Sequence, residues 1–261
     1  MELDGRAVTA EELASLALCN YGHFTSMLVT GGRVRGLSLH LDRLSADCRL
    51  LFDHDLDTGK VRELIRRTEV PGSTMVRVTV YAPDLELARP SAPKTPRVLV
   101  TTRPAAQHDL PPLRLATVSY RREFAQVKHV GLFGALAYRA GAQRSGVDDV
   151  LFVDPTSAVT EGATWNIGFF DDAGRLVWPA GECLPGVTQR LLESAWRAAG
   201  REVSRREVRV ADSPDLRAAF VANAAVGVRA IAAIDKTEYA VGHPLLPALA
   251  SLYAGTPAEP V

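Results

Sequence analysis

Lys128 occupies an unusual setting for a lysine. The chain holds four lysines among 30 basic residues, and Lys60, Lys94 and Lys236 each stand beside Gly, Pro, Asp or Thr. Lys128 instead lies in Phe124-Ala125-Gln126-Val127-Lys128-His129-Val130-Gly131-Leu132-Phe133. Apolar surroundings disfavour an ammonium and make the free amine easier to reach. A reachable amine can condense with an aldehyde to a Schiff base. The competing reading is an amphipathic stem whose charged tip reaches water.

Three further stretches carry chemistry-bearing residues in order. His40-Leu41-Asp42-Arg43-Leu44 lies upstream, on a stretch with helical spacing. After Lys128, the apolar run Val150 to Asp154 reads as a buried strand and Pro155-Thr156-Ser157 as a turn. Then come Val159-Thr160-Glu161-Gly162-Ala163-Thr164-Trp165-Asn166 and Leu184-Pro185-Gly186-Val187-Thr188. Glu161 by itself is also readable as a turn carboxylate, and Arg43 as a surface arginine. Backbone N–H groups at a helix start such as Val187-Thr188 attract an anion, although they serve equally as an ordinary helix opening.

Together the four motifs resemble those of the class IV aminotransferases, the fold-type IV enzymes that use pyridoxal 5′-phosphate, over about residues 15 to 253. The resemblance implies a small N-terminal α/β domain, a larger C-terminal pseudo-barrel domain and cofactor bound between them. It implies Lys128 as the amine that holds the cofactor and then carries a proton between the substrate Cα and the cofactor. It implies Glu161 as partner of the pyridine nitrogen, with Arg43, Val187 and Thr188 on the phosphate. The segment Ala222-Asn223-Ala224-Ala225 departs from the family, where many members carry a hydroxyl at the position of Ala224. Asn223, Ala224 and their amides remain candidates for cofactor or substrate carboxylate. Phe24-Thr25-Ser26 replaces a familiar F-E-T, so Phe24 and Ser26 become pocket candidates with Thr164, Trp165 and Ala225. Arg89 and Arg103 are loop candidates for the substrate carboxylate. Arg121 and Arg122 are candidates to support Glu161.

The implied reaction is transfer of an amino group between an amino acid or primary amine and a 2-keto acid, in a ping-pong cycle. Thr164-Trp165-Asn166 leans the donor toward D-amino acids or (R)-amines. A lyase resembling 4-amino-4-deoxychorismate lyase, releasing pyruvate, is the alternative. A non-catalytic binding protein on the same fold is a third. The resemblance also implies a homodimer.

Bulk properties fit this reading. At 261 residues and 47% hydrophobic the chain can bury a sizeable core. Thirty basic and 30 acidic residues give zero formal charge, and no basic block or basic-aromatic stripe speaks for nucleic acid. No secretory or membrane-spanning run is visible, and three isolated cysteines suit reduced thiols in a cytoplasm rather than a disulfide frame or metal site.

The elements that must position these residues are mixed α+β, with strands dominating and no regular βα alternation. Residues 1–106 read as the small domain, 107–112 as a linker within a proline-rich stretch, and 113–261 as the larger domain. A hairpin is expected from Phe24 to Thr30 and Arg33 to Leu39 around Gly31-Gly32, then helices over 41–52 and 60–68. Further strands are expected at Met75 to Tyr81, Arg97 to Thr101 and Leu115 to Tyr120, and helices at Leu132 to Ser145 and Val187 to Ala199.

Overall fold

The computed structural model describes residues 1–68, 72–105 and 110–261, apart from the side chain of Asp212. In chain order the first elements are β1 (Glu2–Leu3), β2 (Arg6–Ala7), α1 (Ala10–Cys19), β3 (His23–Thr30), β4 (Arg33–Arg35), α2 (Leu37–Phe52), α3 (Thr58–Arg66), β5 (Ser73–Tyr81) and β6 (Arg97–Pro104). Then come β7 (Leu113–Ser119), α4 (Phe133–Arg144), β8 (Asp149–Val153), β9 (Val159–Gly162), β10 (Asn166–Asp171) and β11 (Leu176–Pro179). The last are α5 (Val187–Ala198), β12 (Val203–Arg206), β13 (Leu216–Asn223), β14 (Gly227–Ile234), β15 (Thr237–Glu238), α6 (Leu245–Gly255) and β16 (Ala258–Pro260). The chain divides into two compact units, Met1–Ala106 with Val127–Gly131 and Pro257–Val261, and Gln107–Gln126 with Leu132–Thr256. Part of the expected linker, residues 107–109, lies outside the described residues.

The first unit is built on a seven-stranded sheet in the order β16-β4-β3-β5-β6-β1-β2. β3 and β5 pair antiparallel over their full length, from His23 opposite Val80 to Thr30 opposite Ser73. Val76, Val78, Val98 and Val100 of its strands meet Leu37, Leu41, Leu44 and Cys48 of α2 and Val61, Leu64 and Ile65 of α3. β-branched residues suit the pleated surface, and the spacing of three and four in α2 gives that helix one apolar stripe. The expected strand Arg33 to Leu39 is cut short at Arg35, and α2 starts at Leu37 rather than residue 41. Gly36 adopts φ +68°, a left-handed conformation that glycine reaches without a Cβ clash, and this turns the chain out of the strand. The segment Val127–Gly131 lies along β3. The Phe24 amide donates to the Lys128 carbonyl at 2.9 Å and the Val130 amide to the Gly22 carbonyl at 2.9 Å.

The second unit carries a nine-stranded sheet in the order β12-β11-β10-β13-β14-β7-β8-β9, with β15 joined to β14. Its central strands are buried on both sides. Phe169 packs with Leu151, Val159, Trp165, Val221 and Ile231, whereas Phe170 packs with Trp178, Phe220, Leu192, Trp196, Leu246 and Leu249. Successive residues of one strand thus feed two cores, as the period of two requires. Each fully buried large side chain of this kind contributes about 1.5–3 kcal/mol relative to exposure.

α6 and β16 were not expected from the sequence. Leu245–Gly255 holds no charged residue, so its apolar side is not marked by contrast with a polar one. Pro247 sits in its first turn, where the missing N–H does no harm. Among the described residues no helix is long and apolar enough to cross a membrane.

Candidate active site

In the first unit, Lys128 is fixed at its backbone from both sides. Its carbonyl accepts from Phe24, and its N–H donates to Oδ2 of the buried Asp47 at 3.1 Å. Its Nζ lies 4.9 Å from the centroid of the Phe24 ring. The register of β3 and β5 sets Ser26 opposite Arg77 and Phe24 opposite Thr79, so these four side chains share one face of the sheet. Arg77 uses it: its guanidinium carbon stacks 3.6 Å from the Phe24 centroid and its Nε donates to Thr79 Oγ1 at 3.1 Å. Among the described residues no carboxylate forms an ion pair with Arg77, and burial alone lowers its pKa. A half-buried guanidinium without an internal anion is a candidate partner for an external one.

Thr25 points to the other face, toward α2. Its Oγ1 lies 2.6 Å from His40 Nδ1 and accepts from Arg43 Nη2 at 2.7 Å. Arg43 is therefore half-buried and hydrogen-bonded, not simply on the polar side of its helix. His40 is 2% exposed, and burial, then the charges of Arg43 and Lys128, holds its pKa well below the usual imidazole value. His23 is driven down to about 3 by burial and by Arg43.

In the second unit, Glu161 lies on β9 and is 6% exposed. Its Oε1 accepts from Arg122 Nε at 2.9 Å and its Oε2 from the Leu184 amide at 3.2 Å. Arg122 does support Glu161, whereas Arg121 turns to Glu182 on the surface. Val159–Gly162 is a fully buried strand and not a turn. Gly162 is required there, because a Cβ would come within 2.1 Å of the Trp165 indole.

Asn166 organises the rest of this half. Its Nδ2 donates to the Leu184 carbonyl at 2.9 Å, and a Cβ on Gly186 would meet its Oδ1 at 1.9 Å. It also stands in register with Ala222, next to Asn223. One asparagine thus gathers the Leu184-Pro185-Gly186 turn, the start of α5 and the β13–β14 turn at one end of the sheet. The α5 N-terminus has no side-chain cap, although Val187 and Thr188 are 4% and 2% exposed. A buried helix start without a side-chain cap is a ready anion site. Asn223 Oδ1 caps the amides of Ala225 and Val226 at 2.9 and 3.1 Å, which closes the turn around Ala224.

Of the remaining sequence candidates, Trp165 packs against Gly162 and the Ala225 amide is capped by Asn223. Trp165 is 5% exposed in the core with its Nε1 on Asp149 at 2.8 Å, and the exposed Thr164 accepts from Arg139 at 2.8 Å. Ala225 is half-buried in the turn. Arg89 is exposed and paired with Glu86 at 3.1 Å, and Arg103 is exposed. Sequence reasoning missed Arg77, whose only signal was a lone charge inside the apolar run Met75 to Tyr81.

The model of the class IV amino-transferases matches residues 22–234, and the chain belongs to that family. No curated protein sequence matches it. A branched-chain aminotransferase from Thermoproteus uzoniensis, solved with norvaline, superposes with a TM-score of 0.85 at 20% identity, covering 97% of this chain and 92% of that one. A hypothetical aminotransferase from Mycobacterium tuberculosis in its PLP-bound form gives 0.81 at 21%, covering 96% and 93%. A fold IV-transaminase from Curtobacterium pusillum gives 0.78 at 23%, covering 92% and 86%. The fold is that of the fold-type IV aminotransferases. The chain is a pyridoxal-phosphate-dependent enzyme of class IV, and pyridoxal 5′-phosphate is its cofactor. The residues present fit that group: an uncapped buried helix start suits a phosphate, and a buried carboxylate suits a protonated pyridine nitrogen.

Proposed function

We propose that the protein is a transaminase that moves an amino group between an amino acid or primary amine and a 2-keto acid in a ping-pong cycle. D-amino acids or (R)-amines are the favoured donors. Bound pyridoxal phosphate supplies an electrophilic aldehyde and an electron sink. Lys128 would hold it covalently. Once released, its Nζ would take the proton from the substrate Cα and later return one. Glu161, kept in place by Arg122 and Leu184, would hold a proton on the pyridine nitrogen. Arg43, the amides of Val187 and Thr188, and the Asn223–Ala224 turn would hold the phosphate. Arg77 would anchor the substrate carboxylate beside Phe24 and Ser26.

The buried Glu161, tied through Leu184 to the uncapped start of α5, carries this reading. The decisive test is a donor screen with pyruvate and 2-oxoglutarate, using both enantiomers of alanine and of 1-phenylethylamine. Transfer from the D or (R) series is expected; transfer from the L series alone would reverse the stereochemical part. Ser26, in register with Arg77, keeps a lyase reading in view, because its hydroxyl shares a sheet face with the arginine proposed to anchor the substrate carboxylate. Release of pyruvate from aminodeoxychorismate without any keto acceptor would establish the lyase instead.

Two further outcomes are expected. Arg77→Met should raise KM for carboxylate substrates about 10- to 100-fold, the loss of a hydrogen bond to a charged group, and change kcat less. Equal KM values in variant and parent would remove Arg77 from substrate binding. Arg43→Ala should weaken cofactor binding by about 1.5–3 kcal/mol, measured by titrating the stripped protein. Unchanged affinity would return Arg43 to a structural role. The protein is also proposed to be a homodimer. Phe133 and Leu136 of α4 are 84% and 48% exposed, an apolar surface that a second copy would cover. Light scattering that finds a monomer at micromolar concentration would defeat this.

A further inference from the structure

We propose that Thr25 is a positioning residue for Arg43: its buried hydroxyl accepts from the guanidinium and donates to His40, which holds the arginine in one orientation. The inference rests on the reading of Arg43 as a phosphate ligand. The direction of the chain of bonds follows from donor accounting. A guanidinium only donates, so the 2.7 Å contact places an Arg43 N–H on Thr25 Oγ1. Thr25 is 0% exposed, so its single hydroxyl proton needs a protein acceptor. Among the described residues the partner in reach is His40 Nδ1, at 2.6 Å. His40 Nδ1 is therefore bare and the ring proton sits on Nε2. Burial and the neighbouring positive charges keep the ring neutral, so the acceptor persists.

The arrangement follows from local periodicity. His40 and Arg43 are three apart on α2 and share a face. Thr25 alternates with Phe24 and Ser26 on β3, so it reaches α2 while they reach the opposite side. A free arginine side chain has considerable rotamer freedom, and fixing it before the ligand arrives removes that ordering cost from binding.

The test titrates cofactor-stripped protein with pyridoxal 5′-phosphate and, in parallel, with pyridoxal, which lacks the phosphate. The forms compared are the parent, Thr25→Val, Thr25→Ser, Arg43→Ala and the Arg43→Ala/Thr25→Val double variant. Valine keeps the branched shape and removes both bonds. Thr25→Val is expected to weaken pyridoxal 5′-phosphate about five- to tenfold and to leave pyridoxal unchanged. Thr25→Ser should restore most of the loss, and Thr25→Val should add little once Arg43 is gone. Nitrogen NMR of the parent should show His40 Nδ1 unprotonated. Equal weakening of both ligands, or a full additional loss in the double variant, would overturn the proposal. If Arg43→Ala weakens the phosphate ligand and Thr25→Val does not, the Thr25 inference alone fails. If Arg43→Ala changes neither affinity, the phosphate reading of Arg43 fails first and takes this one with it.

Discussion

Lys128→Ala is expected to lose covalent attachment of pyridoxal phosphate and all measurable turnover. The reason is chemical: alanine offers no amine to hold the cofactor and no base for the substrate Cα proton. The substitution leaves the backbone bonds of this segment in place, since Asp47, Phe24 and Gly22 are bonded to main-chain atoms. The variant should therefore fold and melt like the parent. Borohydride reduction of the parent followed by peptide mapping should find the label on Lys128. Lys60 is the counter-example: it forms an ion pair with Asp4 at 3.2 Å and is half exposed. A label on Lys60, Lys94 or Lys236 would overturn the assignment of Lys128.

Glu161→Gln should retain the cofactor but slow proton transfer by about 10²-fold or more, the size expected when a preorganised charge is removed. A neutral amide cannot hold the pyridine nitrogen protonated. The substitution also has a structural cost. Both carboxylate oxygens accept, one from Arg122 and one from Leu184. The amide nitrogen of glutamine would face one of these donors with another donor, at a cost of about 1–3 kcal/mol. Single-turnover kinetics followed in the visible absorption of the bound cofactor separates the two effects from a thermal melt. An unchanged single-turnover rate would remove Glu161 from the chemistry.

The legible parts of this molecule were those whose signal is local. The α5 start was marked by Pro185-Gly186 before an amphipathic run, whereas Lys128 and Glu161 stand as candidates by the order of the four motifs, since each alone reads equally as a snorkelling or turn residue. Strands such as Met75 to Tyr81 were visible from their β-branched content, because that content is what packs on a pleated face. Partners were less legible. Arg77 becomes a candidate only when the β3–β5 register sets it over Phe24. Asn166 read as the end of a motif, yet its importance lies in contacts with Leu184 and Gly186 further along the chain. Thr25 looked like a missing glutamate, and only the alternation of β3 reveals that its hydroxyl serves Arg43 and His40. α6 was hidden for the opposite reason, an apolar composition with no polar side to give it a period.

The close fit of Gly162 against Trp165 constrains how this sequence can evolve. A side chain at position 162 has no room while the indole is present. A smaller residue at 165 leaves a cavity and removes one of the two donors to Asp149 Oδ2, which keeps Arg139. Change is therefore easier in one order, 165 before 162, through an intermediate that carries this cavity. Lineages descended from this chain should keep the pair or replace both together, and drift at either position alone should be rare.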